Sequence, residues 1–397
     1  MSVAEPLGRV VGLGWLFESS RNLSHIRLRL AKLSVAICLF WPFFNANYFF
    51  NATFETNFLP IFVAVLLMPE VLWDDKRSLL LVLAVILMSA AIQPNGSGYL
   101  RLAIALIPLL FILNLHRRCI GRNEQLIDSN TAYAALLVFV AFCVVQYIHF
   151  NVVAIVPEWV TQFLQTVIPR YMAAPYDDSG IRGVQGWASE PAGAALMCFG
   201  FAIVIIQQEP GKRTSVLFLF ALLTVLNKSI YCLLFLAFLG FVHLTNLKRI
   251  RYATIFLVLI LPIGARYLST SARVNEFRES TAQYGLDETS NRELQRLAQI
   301  ILPVTSFPKL YTPLTLFDIT QIEPIGLFPL LVGYGSVLGL IVYYRLAFQS
   351  LRIRDASSWP MALCGIFVLS FLAPPNFVPS IVGFVYALNP KHQSQGL

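Results

Sequence analysis

Twelve apolar runs separated by short polar breaks occupy most of this chain, at residues 33–50, 57–73, 78–93, 100–115, 131–150, 188–207, 214–227, 229–246, 252–268, 326–347, 358–373 and 376–389. A membrane-crossing helix needs about 20 predominantly apolar residues, and none of these runs has the period-two alternation of a barrel strand. The expected fold is an all-α polytopic membrane protein with about 12 (11–12) transmembrane helices. Its 397 residues form a single integral membrane domain, 1–397. Composition agrees: 57% of residues are hydrophobic and 13% charged, against about 45–50% and about 25% in a soluble domain. That leaves no room for a large soluble catalytic domain.

The basic residues set the orientation. With the N-terminus in the cytoplasm, nineteen of the 29 Lys and Arg fall on inner segments, including the Lys76-Arg77, Arg117-Arg118, Lys212-Arg213 and Lys248-Arg249 groups. Every short loop then obeys the positive-inside rule, and both termini are cytoplasmic. The net charge of +8 is therefore an orientation signal and implies no nucleic-acid partner. The six cysteines have neither disulfide nor zinc spacing. No signal peptide is expected, because the first strong apolar run begins near Lys32 and no small-residue cleavage pattern follows it.

Two outer segments, about 151–187 and about 269–325, are too long to be simple turns, and ordered loops of such length are usually functional. In the first, Val156, Trp159, Val160, Phe163, Leu164, Val167 and Ile168 recur at helical spacing, with Pro157 suited to the first turn and Pro169 closing the run. They predict a short amphipathic helix, lying in the outer headgroup layer or packed on the bundle as a plug. Arg170 follows, then the stretch Arg182-Gly183-Val184-Gln185-Gly186-Trp187-Ala188-Ser189-Glu190-Pro191-Ala192-Gly193. Its glycines allow close backbone approach to a ligand, and Arg182 stands near a helix N-terminus, where anions are favoured. Ala188 or Ser189 is expected to cap the sixth span, with Glu190 in its first turn.

In the second loop, Ser290 and Glu293 have capping-box spacing and open a helix that ends at Pro303. Arg292 and Arg296 share one face of it, and two guanidinium groups one turn apart suit a diphosphate. The alternative for both is a solvated face. Lys228, at the outer turn between two short helices, either faces the same cavity or snorkels. No Asp-x-Asp lies in an outer loop, and no phosphate-cradling Gly-rich loop ends in Lys-Ser/Thr. Neither a metal nor a nucleotide cofactor is expected.

The stretch from Arg182 to Pro191 resembles the Arg-, Gly- and Glu-Pro-bearing signature in the third periplasmic loop of Wzy-type polysaccharide polymerases. Arg182 and Gly193 also match the Arg, ten residues, Gly pattern of O-antigen polymerases, and Leu226-Asn227-Lys228-Ser229 is similar to the family's outer turn. A third echo is the Arg-bearing helix 292–302 followed by a Gly-rich re-entry, Gly333 to Gly339. There are departures. Lys228 stands where Arg is more usual, the later loop has no second Arg-to-Gly pair, and the outer-loop His of WaaL-type ligases has no counterpart between 300 and 325.

The resemblance implies a GT-C-like, metal-independent glycosyltransferase of the bacterial inner membrane, which joins undecaprenyl diphosphate-linked oligosaccharide repeats on the periplasmic side and releases the lipid diphosphate. It implies catalytic roles for Arg182 and Glu190, the latter as general base. Substrate binding falls to Arg170, Arg292, Arg296, Lys228, Gly186 and Gly193. Expected partners are the lipid bilayer, a chain-length regulator and a flippase of the same pathway. The competing expectations are an O-antigen ligase-type enzyme and, from a different class, a flippase or exporter of lipid-linked sugars.

Overall fold

The computed structural model describes residues 14–40, 59–92, 98–153, 155–167, 183–188, 191–246, 326–347, 359–373 and 377–388. Among them there is helix and no strand. In chain order the helices are α1 (Gly14–Phe40), α2 (Leu59–Leu67), α3 (Lys76–Ile92), α4 (Gly98–Gly121), α5 (Ser129–Asn151), α6 (Glu158–Val167), α7 (Pro191–Gln208), α8 (Arg213–Asn227), α9 (Ile230–Asn246), α10 (Leu327–Ala347), α11 (Trp359–Phe367) and α12 (Val378–Leu388). Short 3-10 turns, Pro69–Asp75 and Pro210–Lys212, precede α3 and α8, and a π-turn, Val368–Leu372, continues α11. Tyr99–Gly121, Ser129–Asn151 and Pro191–Gln208 are long and apolar enough to cross a membrane, and shorter apolar helices accompany them. The protein is a helical one of membrane type. The expected ninth span, 252–268, and the second long loop, 269–325, lie outside the described residues.

Two boundaries differ from expectation for identifiable reasons. The first helix is already formed at Gly14 rather than starting near residue 33, and its described residues run to Phe40. Its early turns carry Arg27 and Arg29 on an exposed face, while Leu28, Ala31 and Val35 are buried. A hydropathy window averages those faces and misses the helix. The second span, expected at 57–73, stops at Leu67. Pro69 cannot continue the helical ladder, and the chain passes into the 3-10 turn instead.

Packing sorts the helices into central and peripheral ones. Every residue of α7 from Gly193 to Ile206 is buried, as expected of a helix that is apolar all round. Its main neighbour is α12, and small residues bring them close: a Cβ on Gly200 would stand 2.5 Å from the Pro379 carbonyl oxygen, and one on Gly383 would stand 3.3 Å from Gly200 Cα. Such contact favours glycine at membrane helix interfaces. Within α10, a Cβ on Gly339 would strike the Leu331 carbonyl oxygen. A straight helix would hold those two positions about 12 Å apart, so α10 turns sharply at its glycines.

The segments expected inside gather at one end. Lys32 pairs with Glu124, Arg118 with Asp74, and Ser129 hydrogen-bonds Glu209. The Tyr386 hydroxyl at the end of α12 donates to the Ile127 carbonyl at 2.9 Å. Asp75 caps α3, accepting from the Ser78 N–H at 3.1 Å and the Ser78 hydroxyl at 2.7 Å, and Arg345 of α10 donates to the same carboxylate at 3.1 Å. Burial pushes the Asp75 carboxyl up, but the bonds from Ser78 and Arg345 outweigh it and hold the group below the ordinary carboxylate range. A depressed native value means that its stabilisation is present above the unfolded-state value and is lost as pH falls through the native one. Thermal melts in detergent should therefore weaken below about pH 4. Asp75→Asn should lower stability at neutral pH by about 1 kcal/mol, given the partial exposure of the pair, and should show a smaller acid-induced loss than the native chain.

Candidate functional site

At the opposite end, the segment Gly183–Ala188 is drawn into the bundle between α5, α7 and α8. Val184, Gln185 and Ala188 are buried, although this is irregular backbone whose polar groups need partners. They have them. The Val184 N–H donates to the Leu226 carbonyl at 3.1 Å, and the Gly186 N–H donates to Gln146 Oε1 at 2.8 Å. The Trp187 indole N–H donates to the Phe40 carbonyl at 2.9 Å, and its ring meets Phe139 edge to face at 4.6 Å. Gly186 has φ +60°, and a Cβ there would overlap the Phe139 ring, so both backbone and space demand glycine.

The second component is the turn after α8. Asn227, 1% exposed, donates through Nδ2 to the Val184 carbonyl at 2.7 Å and to the Pro191 carbonyl at 3.1 Å. Its Oδ1 accepts from the Ser229 N–H at 3.2 Å and from the Cys232 thiol at 3.4 Å. One amide thus holds the start of the loop, the first residue of α7 and the turn into α9. Lys228 closes α8 in the left-handed region, φ 56° and ψ 21°, where glycine or asparagine is usual. A side chain there costs on the order of 1 kcal/mol, so the fold tolerates strain at this cation.

The two components touch. A Cβ on Gly183 would lie 2.5 Å from the Asn227 carbonyl oxygen and 3.5 Å from Lys228 Cβ. Arg182 is the residue before Gly183, and Glu190 the residue before Pro191. Both lie outside the described residues, as do Arg170, Arg292, Arg296 and Ser189. Of the expected substrate contacts, Lys228 stands on the turn beside Gly183, Gly186 is packed on Phe139 with its N–H taken by Gln146, and Gly193 is buried in the first turn of α7. Among the described residues no group of three His, Cys, Asp or Glu is placed to hold a metal ion.

Sequence reasoning passed over Asn227 and Gln146 as functional positions. Both are polar residues in apolar runs, which was the available signal. Gln146 is 1% exposed, and its Nε2 has no hydrogen-bond partner. No family model, curated protein or solved structure matches this chain.

Proposed function

We propose that the chain is a GT-C-like polysaccharide polymerase of the bacterial inner membrane, with about 12 spans and both termini in the cytoplasm. It joins undecaprenyl diphosphate-linked oligosaccharide repeats on the periplasmic side. A sugar hydroxyl of one repeat attacks the anomeric carbon of another, the bond from that carbon to the diphosphate oxygen breaks, and the hydroxyl proton passes to Glu190. Cationic side chains stabilise the departing diphosphate without a metal. Arg182 is assigned that role first, and Lys228, Arg170, Arg292 and Arg296 are assigned to complete the cradle. A separate chain-length regulator and a flippase of the same pathway are the proposed protein partners.

One observation carries this reading. The glycine-rich stretch after Arg182 and the Lys228 turn lie more than forty residues apart in sequence and meet at Gly183. Asn227 ties the same turn to Val184 and Pro191, which in sequence follow Arg182 by two residues and Glu190 by one. Purified protein incubated with a lipid-diphosphate-linked repeat unit should yield a ladder of products, which a flippase would not make. Arg182→Ala should abolish the ladder at unchanged protein level. A normal ladder from that variant would remove the assignment.

A further inference from the structure

The helix α6 is built the wrong way round for water. Among its described side chains Thr161 is buried and faces the protein, while Trp159 and Phe163, one turn apart and about 160–200° away from Thr161 on the helix, are 72% and 62% exposed. Glu158 and Gln162 occupy a third, polar side and hydrogen-bond each other at 3.4 Å. A helix in water turns its aromatic residues inward. This one directs them out, with a polar flank beside them, which is the arrangement of a helix lying in a bilayer interface.

The surroundings say what covers that face. Val138 and Val145 stand exposed seven residues apart, an apolar stripe on α5, one of the helices long enough to cross a membrane, and its C-terminal cap Val152 is exposed as well. The stripe runs into the link to α6 through Val152 and Val153, both exposed. The link is fixed to α5: the Val152 and Val153 N–H groups donate to the Ile148 carbonyl at 2.9 Å, and the Val156 N–H donates to His149 Nδ1 at 3.2 Å. The exposed aromatic residues of α6 thus follow, through an exposed apolar link bonded to α5, on the exposed apolar side of that helix. Residues 129–169 contain no Lys or Arg, and Glu158 is their only acid. Such a surface has no basic residue with which to recruit anionic headgroups.

We infer that α6 is inserted in the outer leaflet, with Trp159 and Phe163 among the upper acyl carbons of the membrane lipid, and that it is held there by apolar contact independent of lipid charge. The inference rests on the membrane part of the proposed function and not on its chemistry.

The test uses the full chain in vesicles of phosphatidylcholine brominated high on the acyl chains. The difference in emission between native protein and Trp159→Phe isolates Trp159 from the other tryptophans. That difference should fall by about half or more on bromination, to the same extent with and without phosphatidylglycerol. Quenching by aqueous iodide instead, or by neither agent because a second copy or another protein covers the helix, overturns the inference. Since the six native cysteines include none that is exposed, Phe163→Cys carries a single nitroxide. Preferential relaxation by oxygen over a water-soluble nickel complex is expected, and the reverse order overturns the placement. Ladder synthesis assayed on the same preparation reports separately on the enzymatic reading.

Discussion

Asn227→Asp should be at least as damaging as Asn227→Ala. Alanine leaves the Val184 and Pro191 carbonyls and the Ser229 N–H without their partner in a buried site, at a cost of about 3 kcal/mol if each group loses about 1. Aspartate matches the amide in shape, but directs an oxygen at two carbonyl oxygens and adds a charge at a position 1% exposed. The expected loss is about 4 kcal/mol or more. The check is the midpoint of detergent unfolding for the three proteins, with ladder synthesis measured on whatever remains folded. An aspartate variant close to native stability would mean that the amide is turned the other way and that the loop is not held as described. Where the variants stay folded, synthesis should fall by about a hundredfold, the usual penalty for a reacting group displaced by about 1 Å.

The second large effect is expected at Gly186. An alanine there adds the left-handed penalty of about 1 kcal/mol to overlap with the Phe139 ring and a 3.2 Å approach to Cys143 Sγ. Overpacking of that kind costs about 1–3 kcal/mol, so Gly186→Ala should lose about 2–4 kcal/mol in the same unfolding assay. The two parts separate in a cycle. Phe139→Leu removes the overlap and leaves the backbone penalty, so the double variant should be less destabilised than the sum of the single ones. Strict additivity would place the Phe139 ring elsewhere.

How much of this was readable beforehand depended on the length scale of the signal. Apolar runs and the basic loops between them are local, and they gave the helices α3 to α5 and α7 to α12 with small errors at the ends. The errors came where proline punctuation competes with hydropathy, at Pro69, and where Arg27 and Arg29 disguised the early turns of α1. The amphipathic α6 was legible from its spacing, but its sidedness was not: the same seven apolar positions suit a plug or an interfacial helix, and only the exposure of Trp159 and Phe163 separates them. At the candidate site the glycines around Arg182 were visible as a motif. The meeting of that motif with the Asn227–Ser229 turn was not, because contact between residues 184 and 227 leaves no periodic trace in either segment. Gln146 was hidden for a different reason, since one amide in an apolar run barely lowers its mean hydropathy.

The Trp187 bond to the Phe40 carbonyl joins positions 147 residues apart and ties the loop to the end of the first helix. During synthesis at about 5–20 residues per second, α1 is complete roughly 7–30 s before Trp187 exists. Through that interval five further described helices, α2 to α6, leave the ribosome while the Phe40 carbonyl lacks its indole partner. The wall of the bundle beside the candidate site therefore cannot close until α2 to α6 have all been made, and those early helices must find their places in the bilayer with that seam still open.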